Sequence, residues 1–119
     1  MQQQASRMQE CIQECTDCHR ICLETLTHCL SKGGRHAEAH HIRLLTDCAE
    51  ICQTSANFML RHSELHVHTC AACAEICERC ARSCEEMSDD DLMTRCAEAC
   101  TSCAAICREM SRVGDERAA

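Results

Sequence analysis

The octapeptide CAACAEIC (70–77) has three relatives in the chain, CTDCHRIC (15–22), LTDCAEIC (45–52) and CTSCAAIC (100–107). Within 70–84 the cysteines continue as CAACAEICERCARSC, at steps of three, four, three and four. Residues at such steps share one face of a helix. A row of sulfurs on one face is a set of soft ligands for a metal ion, or a set of partners for disulfides. With Cys15 at heptad position a and Cys18 at d, all sixteen cysteines fall at a or d. They are Cys11, Cys15, Cys18, Cys22 and Cys29; Cys48 and Cys52; Cys70, Cys73, Cys77, Cys80 and Cys84; and Cys96, Cys100, Cys103 and Cys107. Only about two positions in seven are a or d, so scattered thiols would not do this.

The elements that must position this sulfur are helices. Stretches 5–31, 36–62, 64–87 and 89–112 are rich in Ala, Glu, Arg, Leu, Met and Gln, all good helix formers. Gly33 and Gly34 close the first. Ser63 caps the third, and Ser88 with Asp91 forms an N-cap box for the fourth. The 62–64 break carries no glycine, and the sequence also tolerates a kinked continuous helix there. Cys18 to Cys73 and Cys48 to Cys103 are both 55 positions, so a helical hairpin is repeated, about 5–62 and 64–112. Two such hairpins predict an all-α, antiparallel up-down-up-down four-helix bundle, one domain over 1–119, with cysteines lining the core.

The other axial positions hold Met8, Met59, Met87, Met93, Met110, His41, His62 and His66, with Thr25, Leu45 and Ser55 as fillers. Ile21, Ile51, Ile76 and Ile106 share position g, and Leu44 and Leu65 are assigned with them to an aliphatic sheath. An ordinary bundle has the reverse arrangement, with Leu and Ile on the axis. Sixteen thiols are too small to fill such an axis and would leave it loose. Something else is therefore expected between the sulfurs.

A net charge of −7 without a basic stripe argues against a nucleic-acid partner. No apolar run approaches the roughly 20 residues needed to span a bilayer. The opening MQQQASRMQECIQ lacks a charged segment followed by an apolar one, so no secretory signal is read and a cytoplasmic location is expected. In a reducing cytosol, this many cysteines point to thiols or metal thiolates.

Several occupants compete. Cβ atoms at i and i+3 or i+4 lie roughly 5–6 Å apart, too far for a disulfide, so bridges would have to cross between helices. A disulfide-stapled structural bundle stays as one alternative. Zinc takes four ligands, usually as two separated pairs, and stacked four-thiolate sites would each carry −2 and repel in a dry axis. A zinc-binding bundle is the other alternative. The ferredoxin run of cysteines ending in C-P is absent. Cu(I) fits best: soft thiolates and thioethers select it. It accepts two or three sulfurs, including a clasp from one helix, and at one ion per thiolate the column is neutral. Binding then releases protons from the thiols.

These inward rows of C-x₂-C and C-x₃-C on each helix resemble the copper storage proteins, over roughly residues 8–112. Lack of a leader makes the chain similar to their cytosolic bacterial branch. The resemblance implies many Cu(I) ions per chain and a homotetramer of bundles. Helix 2, with only Cys48 and Cys52, departs from a fully cysteine-lined pattern and lowers the capacity expected at its ends.

Met8, Met59, His62, His66 and Met110 are expected at one end of the bundle. They form a mouth that captures Cu(I) and passes it to Cys11, Cys70 and Cys107. The alternative is that the methionines simply plug that end. At the other end lie Cys29, Cys84, Cys96, Met87 and Met93, where His41 is an added ligand. His36 and His40 are expected in solvent, and His19, His28 and His68 on the surface or in the sheath. No catalytic residue is assigned and no enzymatic activity is expected. A thiol redox enzyme would need one exposed C-x-x-C pair in an electropositive setting rather than equivalent buried rows.

Overall fold

The computed structural model describes residues 2–87 and 90–118, with side chains for 6–87 and 90–112. Four helices run in order: α1 (Gln2–Lys32), α2 (Ala39–Leu60), α3 (His66–Glu85) and α4 (Asp91–Ala118). A 3₁₀ turn, Gly34–Ala37, connects the first two. Each helix packs on two neighbours, α1 on α2, α2 on α3, α3 on α4 and α4 on α1, which makes a square antiparallel bundle. It measures 48 × 21 × 20 Å. At 1.5 Å per residue, α1 alone runs nearly its full length. No described helix is long and apolar enough to cross a membrane.

The ends explain where the helices stop. Gly33 (φ 73°) and Gly34 (φ 59°) take left-handed conformations, and Gly33 N–H donates to the Cys29 carbonyl at 3.0 Å. The chain then tightens into the 3₁₀ turn, so α2 begins at Ala39 instead of 36.

The glycine-free break is a full stop rather than a kink. His62 N–H donates to the Met59 carbonyl and Ser63 N–H to the Phe58 carbonyl, each at 3.0 Å. This is the paired bonding of a Schellman end, and it requires a left-handed residue between. Here His62 takes it, at φ 59°. Ser63 Oγ accepts from Leu65 N–H at 3.2 Å, which caps the turn ahead of α3.

The N-terminal cap of α4 differs from expectation. Asp90 Oδ1 accepts from the N–H groups of Leu92 (3.0 Å) and Met93 (3.4 Å), so Asp90 is the capping residue. Ser88 lies outside the described residues. Asp90 Oδ2 also pairs with Lys32 Nζ (2.8 Å) and His28 Nε2 (2.7 Å), tying the α4 start to the end of α1. Hydrogen bonds from these two partners, Lys32 foremost, hold its carboxyl well below the usual range.

The core is sulfur surrounded by small side chains. All sixteen cysteines are fully buried. Ala49 and Ala56 on α2, Ala74 and Ala81 on α3, and Ala97 and Ala104 on α4 are buried beside them, each one position after a d residue. Alanine there brings the helices close enough for short side chains to meet. The column packs on itself: neighbouring sulfurs lie at 3.5–4.0 Å, near van der Waals contact. The expected looseness is thus taken up by close approach. Ile21, Ile51 and Ile76 are half-buried and Ile106 is buried, as a sheath requires. Leu65 is not part of it: it precedes α3 and is exposed.

Candidate metal centre

Five groups of sulfurs stand close enough to share an ion, with the atoms of each group within 4.8 Å of one another. From one end they are Cys11, Cys70 and Cys107; Cys15, Cys73, Cys103 and Cys107; Cys52, Cys73, Cys77 and Cys103; Cys18, Cys48, Cys52 and Cys77; and Cys18, Cys22, Cys48 and Cys100. Each group draws on three helices. Each also shares at least one sulfur with the next: Cys107, then Cys73 and Cys103, then Cys52 and Cys77, then Cys18 and Cys48. The groups are therefore links of one thread. Cys22 extends it to Cys96 at 3.9 Å.

Each four-membered group holds one i, i+4 pair from a single helix, such as Cys18 with Cys22, together with sulfurs from other helices. Most sulfur contacts cross between helices, as in Cys15 to Cys107 (3.5 Å), Cys48 to Cys77 (3.5 Å) and Cys18 to Cys100 (3.7 Å). Contacts within one helix, Cys73 to Cys77 (3.8 Å) and Cys103 to Cys107 (3.9 Å), are fewer and fall in the same range of distance. All sixteen cysteines are free thiols. The nearest pairs stand well beyond a bonded S–S length of about 2.05 Å. The disulfide-stapled bundle is set aside on that ground.

The electrostatics follow from burial. Two thiolates 3.5 Å apart would repel by about 5 kcal/mol at an effective dielectric near 20. Each thiol that ionises therefore disfavours ionisation of its neighbours. Contact with Cys103 raises the pKa values of Cys15, Cys52 and Cys77. Contact with Cys100 lowers those of Cys18, Cys48 and Cys96. Burial pushes the Cys29 thiol up to about 11.

Around the first group, the residues expected at a mouth divide. Met59 is buried with its Sδ 3.9 Å from Cys70 Sγ. Met110 and His66 are buried, and Met8 is half-buried. His66 Nδ1 lies 2.8 Å from the Ser63 carbonyl. A carbonyl only accepts, so Nδ1 donates there. Its Nε2 is buried without a hydrogen-bond partner. A buried imidazole nitrogen with no protein partner, beside the Cys70 end of the column, is a position from which a soft metal could be held. His62 is a correction: α2 ends before it, and its side chain is exposed rather than axial.

At the other end, His41 is buried, with Nδ1 2.7 Å from Ser83 Oγ and Nε2 3.5 Å from Cys29 Sγ. Burial lowers its pKa and favours the neutral ring. Met87 and Met93 are buried too. His36, expected in solvent, is buried by the 3₁₀ turn, with Nδ1 3.8 Å from Cys29 Sγ. Nothing in the heptad pattern marks it, because it lies in a connection. His40 and His68 are exposed. His19 donates to the Ala49 carbonyl at 2.7 Å, and His28 pairs with Asp90.

A square helical bundle whose axis is a continuous column of free thiols is the class of protein that fold and site define together. The chain matches the family model for copper storage proteins over residues 4–112 and belongs to that family. Among solved structures it is similar to the Nmul_A1745 protein from Nitrosospira multiformis, at 47% identity and TM-score 0.86, covering 92% of this chain and 98% of that one. The Cu(I)-bound copper storage protein BsCsp3 of Bacillus subtilis is 37% identical with TM-score 0.82, over 88% and 98%. A cytosolic copper storage protein from Streptomyces lividans, loaded with five coppers, is 29% identical with TM-score 0.87, over 94% and 98%.

Proposed function

We propose that this chain stores Cu(I), binding multiple ions through cysteine thiolates along the axis of its bundle and catalysing no reaction. The observation that carries this is the shared-sulfur thread. A metal that needs four private ligands gains nothing from groups that overlap, whereas Cu(I) accepts two or three sulfurs and lets each bridge to the next ion. At one Cu(I) per thiolate the charges cancel, which removes the repulsion between adjacent thiolates.

Loading begins at the end built from Met59, His66 and Met110, with Met8 partly exposed beside them and His62 at the rim. Thioethers and a neutral imidazole bind Cu(I) without first losing a proton, so they take the ion and pass it to Cys11, Cys70 and Cys107. There each copper displaces a thiol proton. Cys15 and Cys107 carry it inward. The protein works in the cytoplasm, where thiols stay reduced, and assembles as a homotetramer of single-domain bundles.

Anaerobic titration of the fully reduced protein with Cu(I), followed by native mass spectrometry, tests the reading. The expected endpoint lies near the sixteen thiols per chain. An endpoint of about four ions, matched by tight binding of the same number of Zn(II), would replace copper by zinc. Replacing Met8, His62 and His66 together by Ala should slow uptake and leave the endpoint nearly unchanged. Uptake at the original rate would refute the mouth.

A further inference from the structure

Every ion that enters the column must expel a thiol proton, and that proton needs a way out of a dry core. All sixteen cysteines are fully buried, where an uncompensated charge is costly. Cys70 has a hydroxyl beside it: its Sγ lies 3.2 Å from Ser55 Oγ. Ser55 is itself fully buried, on the axial face of α2. Its oxygen lies 3.3 Å from Thr69 Oγ1, and Thr69 is half-buried and so reaches the surface. Sulfur, serine and threonine thus lead in line from the column to solvent. The other buried hydroxyls do not do this. Thr25 Oγ1 has no hydrogen-bond partner, and Ser83 Oγ is turned to His41.

From this chain of contacts we infer that Ser55 and Thr69 form a proton exit from the thiol column, carrying the hydrogen displaced from Cys70 to solvent. The inference rests on the copper reading above and adds the path of the proton to that of the metal.

A second acceptor sets the hydroxyls for outward transfer. Thr69 Oγ1 also lies 3.0 Å from the His66 carbonyl, to which it donates. A hydroxyl has one hydrogen and two lone pairs, so Thr69 serves one acceptor at a time. When it donates to Ser55, Ser55 points its own hydrogen at Cys70 and no proton leaves. When it donates to the carbonyl, the Thr69 oxygen is open to Ser55 and the Ser55 oxygen to the Cys70 S–H. Copper then bonds to the Cys70 sulfur as the S–H bond breaks. That proton goes to the Ser55 oxygen, the Ser55 hydrogen to the Thr69 oxygen, and the Thr69 hydrogen to water. No electron is transferred, and the products are a Cu(I) thiolate and one solvated proton.

Cys70 shares its group with Cys11 and Cys107, and Cys107 belongs to the next group as well. Copper moving inward from this group trades places with thiol hydrogens moving outward. One exit beside Cys70 therefore serves the whole thread.

Anaerobic stopped-flow mixing of the reduced protein with Cu(I) in acetonitrile, in weak buffer, follows both paths together. An indicator dye reports protons, and ultraviolet absorbance reports copper thiolate. In Ser55→Ala and in Thr69→Val, proton release should slow by about tenfold or more, while the copper endpoint stays near that of the wild type. Thr69→Ser keeps the hydroxyl and should release protons at close to the wild-type rate. A wild-type rate in either Ser55→Ala or Thr69→Val overturns the inference. Equal slowing in Thr69→Ser and Thr69→Val overturns it too, because the hydroxyl is then not what matters. Absence of bound copper in the wild-type protein refutes the storage reading itself, whatever the proton rates. Should Ser55→Ala fail to fold by circular dichroism, the two Thr69 variants decide.

Discussion

Sharing of sulfur between neighbouring groups has a measurable consequence when one cysteine is replaced. Cys48 belongs to two groups, and its Sγ has sulfurs from three other helices nearby: Cys77 at 3.5 Å, Cys100 at 3.8 Å and Cys18 at 3.9 Å. Cys22 belongs to one group, and its sulfur contacts with Cys100 at 3.8 Å and Cys96 at 3.9 Å both reach α4. Serine keeps the shape of either side chain, and its oxygen is too hard to replace a thiolate on Cu(I). Charge balance alone removes one copper in each variant. Where the lost sulfur bridged two ions, the second keeps only part of its ligand set and weakens as well. Cys48→Ser should therefore cost roughly two ions per chain against a competing Cu(I) chelator, and Cys22→Ser about one. In the copper-free protein both substitutions bury a hydroxyl, at about 1–3 kcal/mol if it is unpaired, so their melting temperatures should drop comparably. Chelator-competition titration with native mass spectrometry reads the counts, and melts of empty and loaded protein separate folding from binding. Equal losses in the two variants would refute the shared thread and favour independent sites.

Ser55 occupies an axial position, with its Oγ 3.2 Å from Cys70 Sγ. Ser55→Cys should extend the column and raise the Cu(I) endpoint by about one, read by mass spectrometry. Asp90 caps α4, and its replacement by Ala should lower stability by about 1 kcal/mol through the lost cap alone. Because its folded pKa lies below the ordinary 3.8, the stability it contributes is present above pH 4 and fades as pH falls through its depressed pKa. Melts between pH 2 and 7 should show a steeper acid loss in the wild type than in Asp90→Ala.

Much of the site was legible in the chain because a helix converts spacing into direction. With 3.6 residues per turn, steps of three and four commit every cysteine to one stripe, and all sixteen are indeed buried. The two glycines at 33 and 34 ended α1 as expected, since their left-handed backbone is a local property. Where local chemistry had several solutions, the reading went astray. The Schellman end that exposes His62 uses no glycine. The alanines that let the helices close were in view at every seventh position, yet their meaning depends on a neighbour.

The sequence by itself determined which face of each helix is sulfur, because that follows from backbone geometry within a single segment. Only the tertiary structure decided which sulfurs meet, since the axial and rotational register between helices depends on packing over the whole length. The same holds for His36. A connection has no period of its own, so its imidazole reaches Cys29 only once α1 and α2 are docked and the turn between them is drawn over the end of the column.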